Sequence, residues 1–326
     1  MDGFLPVFGF LVLAGGGYFI YEQGFDEFRK LPVIQEITDA SRIGWEQTTT
    51  LGEKLAIHII TLDNRLLEPR SKMSTAFHVE ESLQVRHNWN ADVIAKKLAK
   101  EGWSSGKLKA ANAYLAYIES YLDEALYDMY NTNVSASITI AQGILESDAG
   151  RSRLARTTNN HFGIKALPNA NGRKKIKSKN YGQLYDHDFT FKTPAIGVSQ
   201  HHDDHKYDRF ETYLSVQDSY RRHSNLLKNK CTTARKGCYA WIWETFPVQK
   251  ERIDITEMAS IFQKTSGIPP EDFFGYTTLP YYAAQAAGLK MAGYATSKSY
   301  HKKLVYLIET YELWRLDAAL SNALNS

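Results

Sequence analysis

Residues 135–166 read SASITIAQGILESDAGRSRLARTTNNHFGIKA. From Ser135 to Leu145 almost every residue is apolar or small, and the run is long enough for three turns of helix. A helix with no polar face is a buried helix. Glu146 closes the run and is followed by Ser-Asp-Ala-Gly, which ends the helix. A carboxyl group there is pushed toward its protonated form twice, by desolvation and by the partial negative charge of a helix C-terminus. Such a group suits proton donation near neutral pH. The plainer alternative is a glutamate exposed where a buried helix surfaces, and spacing alone does not separate the two.

Upstream, Leu108 to Tyr130 (LKAANAYLAYIESYLDEALYDMY) carries Leu115, Ile118, Leu122 and Leu126 at helical spacing, and Asn131-Thr-Asn ends it. Downstream, Ala166 to Gln200 mixes Pro, Gly and Asn with alternating aromatic and polar residues, which predicts loops and one or two hairpins. Its basic run GRKKIKSK (172–179) reads as a solvated loop, or as a contact for anionic polymer or lipid headgroups. Helical patterns resume at Val216 to Lys228, Thr256 to Lys264, Tyr281 to Met291 and Lys298 to Leu313. The fold class expected is α+β and mainly α, with a small β element.

The 326 residues carry a net charge of +3, 43% apolar residues and 20 Tyr. That supports a packed core, does not point to nucleic acid, and is compatible with an anionic polymer. Phe4 to Tyr21 (FLPVFGFLVLAGGGYFIY) holds no charge, and its eighteen residues would span about 27 Å as a helix, close to the hydrocarbon thickness. No Lys or Arg precedes it and no small-x-small site follows before Glu22, so it reads as an uncleaved anchor rather than a signal peptide. Residues 1–24 are taken as that transmembrane anchor and 25–107 as a mostly helical spacer. In the spacer, Ala91 to Glu101 forms a helix capped by Asn90 and stopped at Gly102, with Val93, Ile94 and Leu98 on one face. The two cysteines, Cys231 and Cys238, could close a small loop in an oxidising compartment.

The stretch quoted first resembles the core motif of the bacterial glucosaminidase family, the flagellar-type and autolysin-type peptidoglycan hydrolases. The family pattern falls on Ala141-Gln142, Glu146-Ser147, Gly150-Arg-Ser152 and Asn160-His-Phe-Gly-Ile-Lys165. Tyr213 to Leu227 and Ala287 to Asp317, the latter with Gly293-Tyr294-Ala295-Thr296, are similar to its later segments. The resemblance covers about 108–317 and implies a two-lobed, lysozyme-like domain at 108–318, with 319–326 as a tail. It implies an endo-β-N-acetylglucosaminidase that needs no cofactor, takes peptidoglycan glycan strands, and works by general acid catalysis from Glu146. By the same resemblance Gln142 and Ser147 support Glu146 through hydrogen bonds. Phe162, Gly163 and Lys165 shape the glycan groove, Asn160 and Tyr213 belong to the binding set, and Tyr294 lies beside the scissile bond.

The second carboxylate is expected in the run His201-His-Asp-Asp-His-Lys-Tyr-Asp208. Asp203 and Asp204 lead, with Asp208, Asp186 and Asp188 behind; in the plain reading any one of them solvates a loop. His201, His202 and His205 have metal-ligand chemistry but no helical i, i+4 pair, so no metal is expected. The implied location is the bacterial inner membrane, with the catalytic domain in the periplasm or wall space. Arg29, Lys30 and Arg42 after the anchor argue for the opposite orientation. Two other readings remain. One is a muramidase or amidase. The other is a membrane-anchored, wall-binding part of an envelope-spanning machine or virion with weak or local lytic activity.

Overall fold

A computed structural model describes residues 88–325 except 202, 204, 206 and 230–234. The anchor at 1–24 and the spacer up to residue 87 lie outside the described residues. Within them, no helix is long and apolar enough to cross a membrane.

The chain runs through helices α1 (Ala91–Lys100), α2 (Ser105–Thr132), α3 (Ala136–Ser147) and α4 (Arg153–Thr158). Then come β1 (Leu167–Pro168), α5 (Ala170–Lys177), β2 (Phe189–Thr190), β3 (Gly197–Gln200) and β4 (Arg209–Thr212). Next follow α6 (Val216–Lys228), α7 (Ala240–Thr245), β5 (Ile253–Asp254), α8 (Thr256–Ile261), α9 (Gln263–Ser266) and β6 (Thr278–Leu279). The chain closes with α10 (Tyr281–Met291), α11 (Tyr300–Thr310) and α12 (Trp314–Asn325). Among the described residues the architecture is mainly helical, with three small antiparallel two-stranded sheets.

Several elements follow directly from local chemistry. The Asn90 side chain accepts from the Val93 amide and starts α1. Ile94 and Leu98 are buried, whereas Val93 faces solvent, so the apolar stripe of α1 is narrower than its sequence predicts. The Trp89 indole donates to the Tyr311 carbonyl at 2.8 Å, and Lys97 pairs with Glu312 at 2.6 Å. Residues 88–107, read as spacer, therefore pack into the same core as α2. Likewise 319–326 is no loose tail at its start: α12 carries Ala319 and Leu320 into the core.

The catalytic candidate sits on α3, which is buried almost throughout. Its Gly143 lies where α2 and α6 meet it, and a β-carbon there would come within 2.5 Å of the Tyr117 hydroxyl. At its N-terminal end no local side chain caps the helix. Asp317 of α12 does so from across the fold, accepting from the Ser137 amide at 2.9 Å, from the Ser137 hydroxyl, and from the Tyr281 hydroxyl at 2.8 Å. At the other end Asp148, Ala149 and Gly150 all take positive φ, which turns the chain out of α3 sharply.

Among the described residues, two apolar clusters organise the fold. The large one gathers the helices; a small one of Ala166, Leu184 and Phe189 lies in the β element. The β element is joined to the helices by Asn160, whose side chain bonds the Ile164 amide and carbonyl and the Glu211 carbonyl. That clamp lays 164–166 along β4, with Glu211 N donating to Ile164 O and Ala166 N to Arg209 O. The basic run 172–179 is mostly helical rather than a loop. Asn169 caps α5 by accepting from the Gly172 amide at 3.0 Å.

Candidate functional site

Glu146 projects from the last turn of α3 and is half-buried. Its carboxyl is held above the usual range, first because burial disfavours the charge. The Tyr300 hydroxyl donates to Oε1 at 2.9 Å and pulls the other way; Asp203 raises it further, and Lys303 lowers it. Gln142, one turn earlier on α3, donates from Nε2 to the Tyr300 oxygen at 2.9 Å. Gln142 thus supports Glu146 through Tyr300 rather than directly. Tyr300 opens α11, is buried, and stacks on Tyr294 at 5.7 Å between ring centres. Tyr294 is half-buried beside it, and the two phenols are kept protonated by burial.

Gly163 lies opposite. It has φ of 60°, and a β-carbon there would stand 4.0 Å from Glu146 Oε2. The bare backbone lets the 160–165 segment approach the carboxyl without covering it. Lys165 pairs with Asp203 at 2.7 Å and with Asp208 at 3.0 Å. Asp203 is half-exposed, while Asp208 is nearly buried and also accepts from the His205 amide at 3.0 Å. Of the predicted acids among the described residues, Asp203 is the one whose charge acts on Glu146. Asp204 and His202 lie outside the described residues. Asp186 and Asp188 serve the β element instead: Asp186 accepts from Arg209 at 3.1 Å, and buried Asp188 is held by Lys175 at 2.8 Å. The Lys175 bond keeps the Asp188 carboxyl below its usual value. No group that could hold a metal ion occurs among the described residues.

Other predicted residues build the site without lining it. The Ser147 hydroxyl donates to Gly143 O at 2.5 Å and accepts from Gly150 N at 2.7 Å, so it shapes the turn after α3 and not the Glu146 carboxyl. Asn160 is committed to backbone groups, as above. Phe162 is buried against His223, with ring centres 3.9 Å apart and nearly parallel. Tyr213 is buried and donates to Glu211 at 2.6 Å, next to the Arg222–Glu211 pair at 3.0 Å. Tyr300 escaped the sequence reading although it lies six residues after Tyr294 in the same quoted block.

The sequence profile of the glucosaminidase family, described as mannosyl-glycoprotein endo-beta-N-acetylglucosaminidase, matches residues 123–313. The chain belongs to that family. Glu146, Gly163, Tyr294 and Tyr300 all fall within the matched span. A relative of this glucosaminidase chain is the exo-glucosaminidase LytG of Bacillus subtilis (strain 168), 24% identical over 227 residues. The alignment takes in 69% of the chain and 61% of that relative, so the chain spans less than two thirds of its length. Among solved structures, the catalytic domain of the autolysin Auto from Listeria monocytogenes is 21% identical with a TM-score of 0.35, covering 63% of this chain and 88% of that one. An N-acetylmuramoyl-L-alanine amidase from Staphylococcus aureus is 23% identical with a TM-score of 0.35, covering 63% and 43%. A peptidoglycan hydrolase mutant from Sphingomonas sp. A1 is 17% identical with a TM-score of 0.33, covering 62% and 96%.

The opposed pulls on Glu146 give a testable pair. An acid catalyst is active while protonated, so kcat/KM falls as pH rises through its pKa. Tyr300→Phe removes a donor to the ionised form, and the alkaline limb is expected to move to higher pH. Asp203→Asn removes a neighbouring negative charge, and the limb is expected to move to lower pH. Shifts in the same direction, or none, in the two pH profiles would contradict this account of the site.

Proposed function

We propose that the chain is a peptidoglycan hydrolase that cuts the glycan strand as an endo-β-N-acetylglucosaminidase, in a lysozyme-like cleft between its helical and β parts. The observation that carries the reading is the Glu146 carboxyl, desolvated at a helix end, braced by Tyr300 and faced by Asp203. Glu146 protonates the glycosidic oxygen. Asp203, or Asp204 beside it in sequence, stabilises the oxocarbenium-like state or positions water. Tyr294 lies against the sugar at the scissile bond, and Gly163 leaves room for it. Residues 4–21 anchor the chain in the inner membrane with the catalytic domain on the wall side. The disulfide at Cys238 fits an oxidising compartment; Cys231 lies outside the described residues.

Mass spectrometry of purified peptidoglycan after digestion tests the bond cut. Internal fragments ending in reducing GlcNAc are expected. Single sugars released from strand ends would make the enzyme exo-acting. Reducing MurNAc would make it a muramidase, and free stem peptides an amidase. Sedimentation with sacculi without any released fragment would leave only the wall-binding reading.

A further inference from the structure

Beside the site, α2, α3 and α11 leave a groove of about 420 Å³, open to solvent. Its walls include Tyr114, Leu145, Tyr306, Lys302 and Lys303. Tyr306 is an exposed large apolar side chain, 58% accessible. Lys302 and Lys303 are exposed and make no ion pair among the described residues. Asp148 also lines the groove, but it is already paired with Arg151 at 2.7 Å, and the Arg151 guanidinium lies 5.7 Å over the Tyr114 ring. The lining therefore sets two lysines, unpaired among the described residues, against one acid, which Arg151 already neutralises. Lys303 links the groove to Glu146: it lies one turn after Tyr300 on α11, and its charge acts on the Glu146 carboxyl that Tyr300 holds.

We infer that this groove holds the acidic stem peptide carried by the glycan strand being cut. The inference rests on the glucosaminidase reading above. A stem peptide combines free carboxylates with short apolar side chains, which matches lysines set among tyrosine and leucine surfaces. A purely anionic polymer would find the cations but would leave the apolar walls unused. Peptide contacts add binding energy remote from the scissile bond, and exposed charge pairs contribute it modestly.

The test compares kinetics on peptide-bearing glycan strands and on strands stripped of peptides by an amidase. With wild-type protein, KM on the peptide-bearing strand is expected to be lower by about three- to tenfold, the range of two or three exposed contacts. The preference should shrink as salt is raised from about 0.05 M to about 0.3 M, because exposed charges are screened. Lys302→Glu, and Lys302→Glu with Tyr306→Ala, are expected to remove the preference while kcat/KM on stripped strands stays at the wild-type value. Both positions are exposed, and thermal melting confirms that the variants fold. Equal wild-type KM on both substrates, a preference that survives in the variants, or an equal loss on both substrates overturns the inference. Absence of any new reducing ends from wild-type protein on either substrate would instead sink the glucosaminidase reading.

Discussion

Glu146→Gln is expected to lower turnover of purified peptidoglycan by about 10²- to 10⁴-fold, the usual contribution of a positioned general acid. The melting temperature should hardly change. Glutamine fills the same volume and keeps an oxygen for the Tyr300 hydroxyl to donate to. It also removes a carboxyl that burial and Asp203 disfavour when ionised, so the variant is, if anything, slightly more stable above neutral pH. The sign follows from linkage. A carboxyl whose folded pKa is raised stabilises the native state below its unfolded value, and that contribution is lost as pH rises through the folded one. Near wild-type turnover by folded Glu146→Gln protein would remove Glu146 from the chemistry. Loss of activity with a collapsed melting temperature would make its role structural.

Asp317→Ala is the second large effect, and it acts on the fold. Asp317 is buried and accepts from the Ser137 amide, the Ser137 hydroxyl and the Tyr281 hydroxyl. Burial pushes its carboxyl up to about 6, against the lowering by these bonds. Alanine strands the Ser137 amide and hydroxyl, leaves the Tyr281 hydroxyl only the Trp314 carbonyl at 3.4 Å, and opens a small void; each stranded donor costs about 1–3 kcal/mol. A destabilisation of about 3–5 kcal/mol is expected, a large part of a typical domain's stability. Urea unfolding would read it as a lower midpoint with an unchanged slope. Asp317→Asn keeps one acceptor and should lose clearly less. A midpoint within experimental error of wild type for Asp317→Ala would show that α3 does not depend on its distant cap.

The elements that the sequence made legible are those whose pattern is local. Helix α6 and helix α10 have the bounds that their periodicity predicts, and α3 extends only two residues beyond Leu145. Glu146 was legible because an apolar run has to end somewhere, and an acid marks that end here. Helix α5 was hidden: its basic residues carry no apolar stripe, and only Asn169 three residues before Gly172 signalled a start. Helix α12 was also missed, although Leu316, Ala319 and Leu320 have helical spacing at the chain's end. Tyr300 was illegible for another reason. Its contact with Glu146 spans 154 residues, and no local pattern separates it from Tyr294. Phe162 and Tyr213 show the reverse error, since aromatic residues in the motif were read as groove, whereas both fill space behind it. Nothing in the run 201–208 signals that Asp203 and Asp208 share Lys165, because that pairing crosses from one segment of the chain to another.

The clasp made by Trp89 with Tyr311, Lys97 with Glu312 and Ser137 with Asp317 has a consequence for timing during synthesis. Chains emerge N-terminus first, and their early parts begin to fold before the rest exists. Here the first helices of the described domain and the helix bearing Glu146 take partners from residues 311–317, more than 170 positions later in each case. A nascent chain that stops short of Asp317 thus holds Glu146 and its partner Tyr300 and still lacks the group that caps the Glu146 helix.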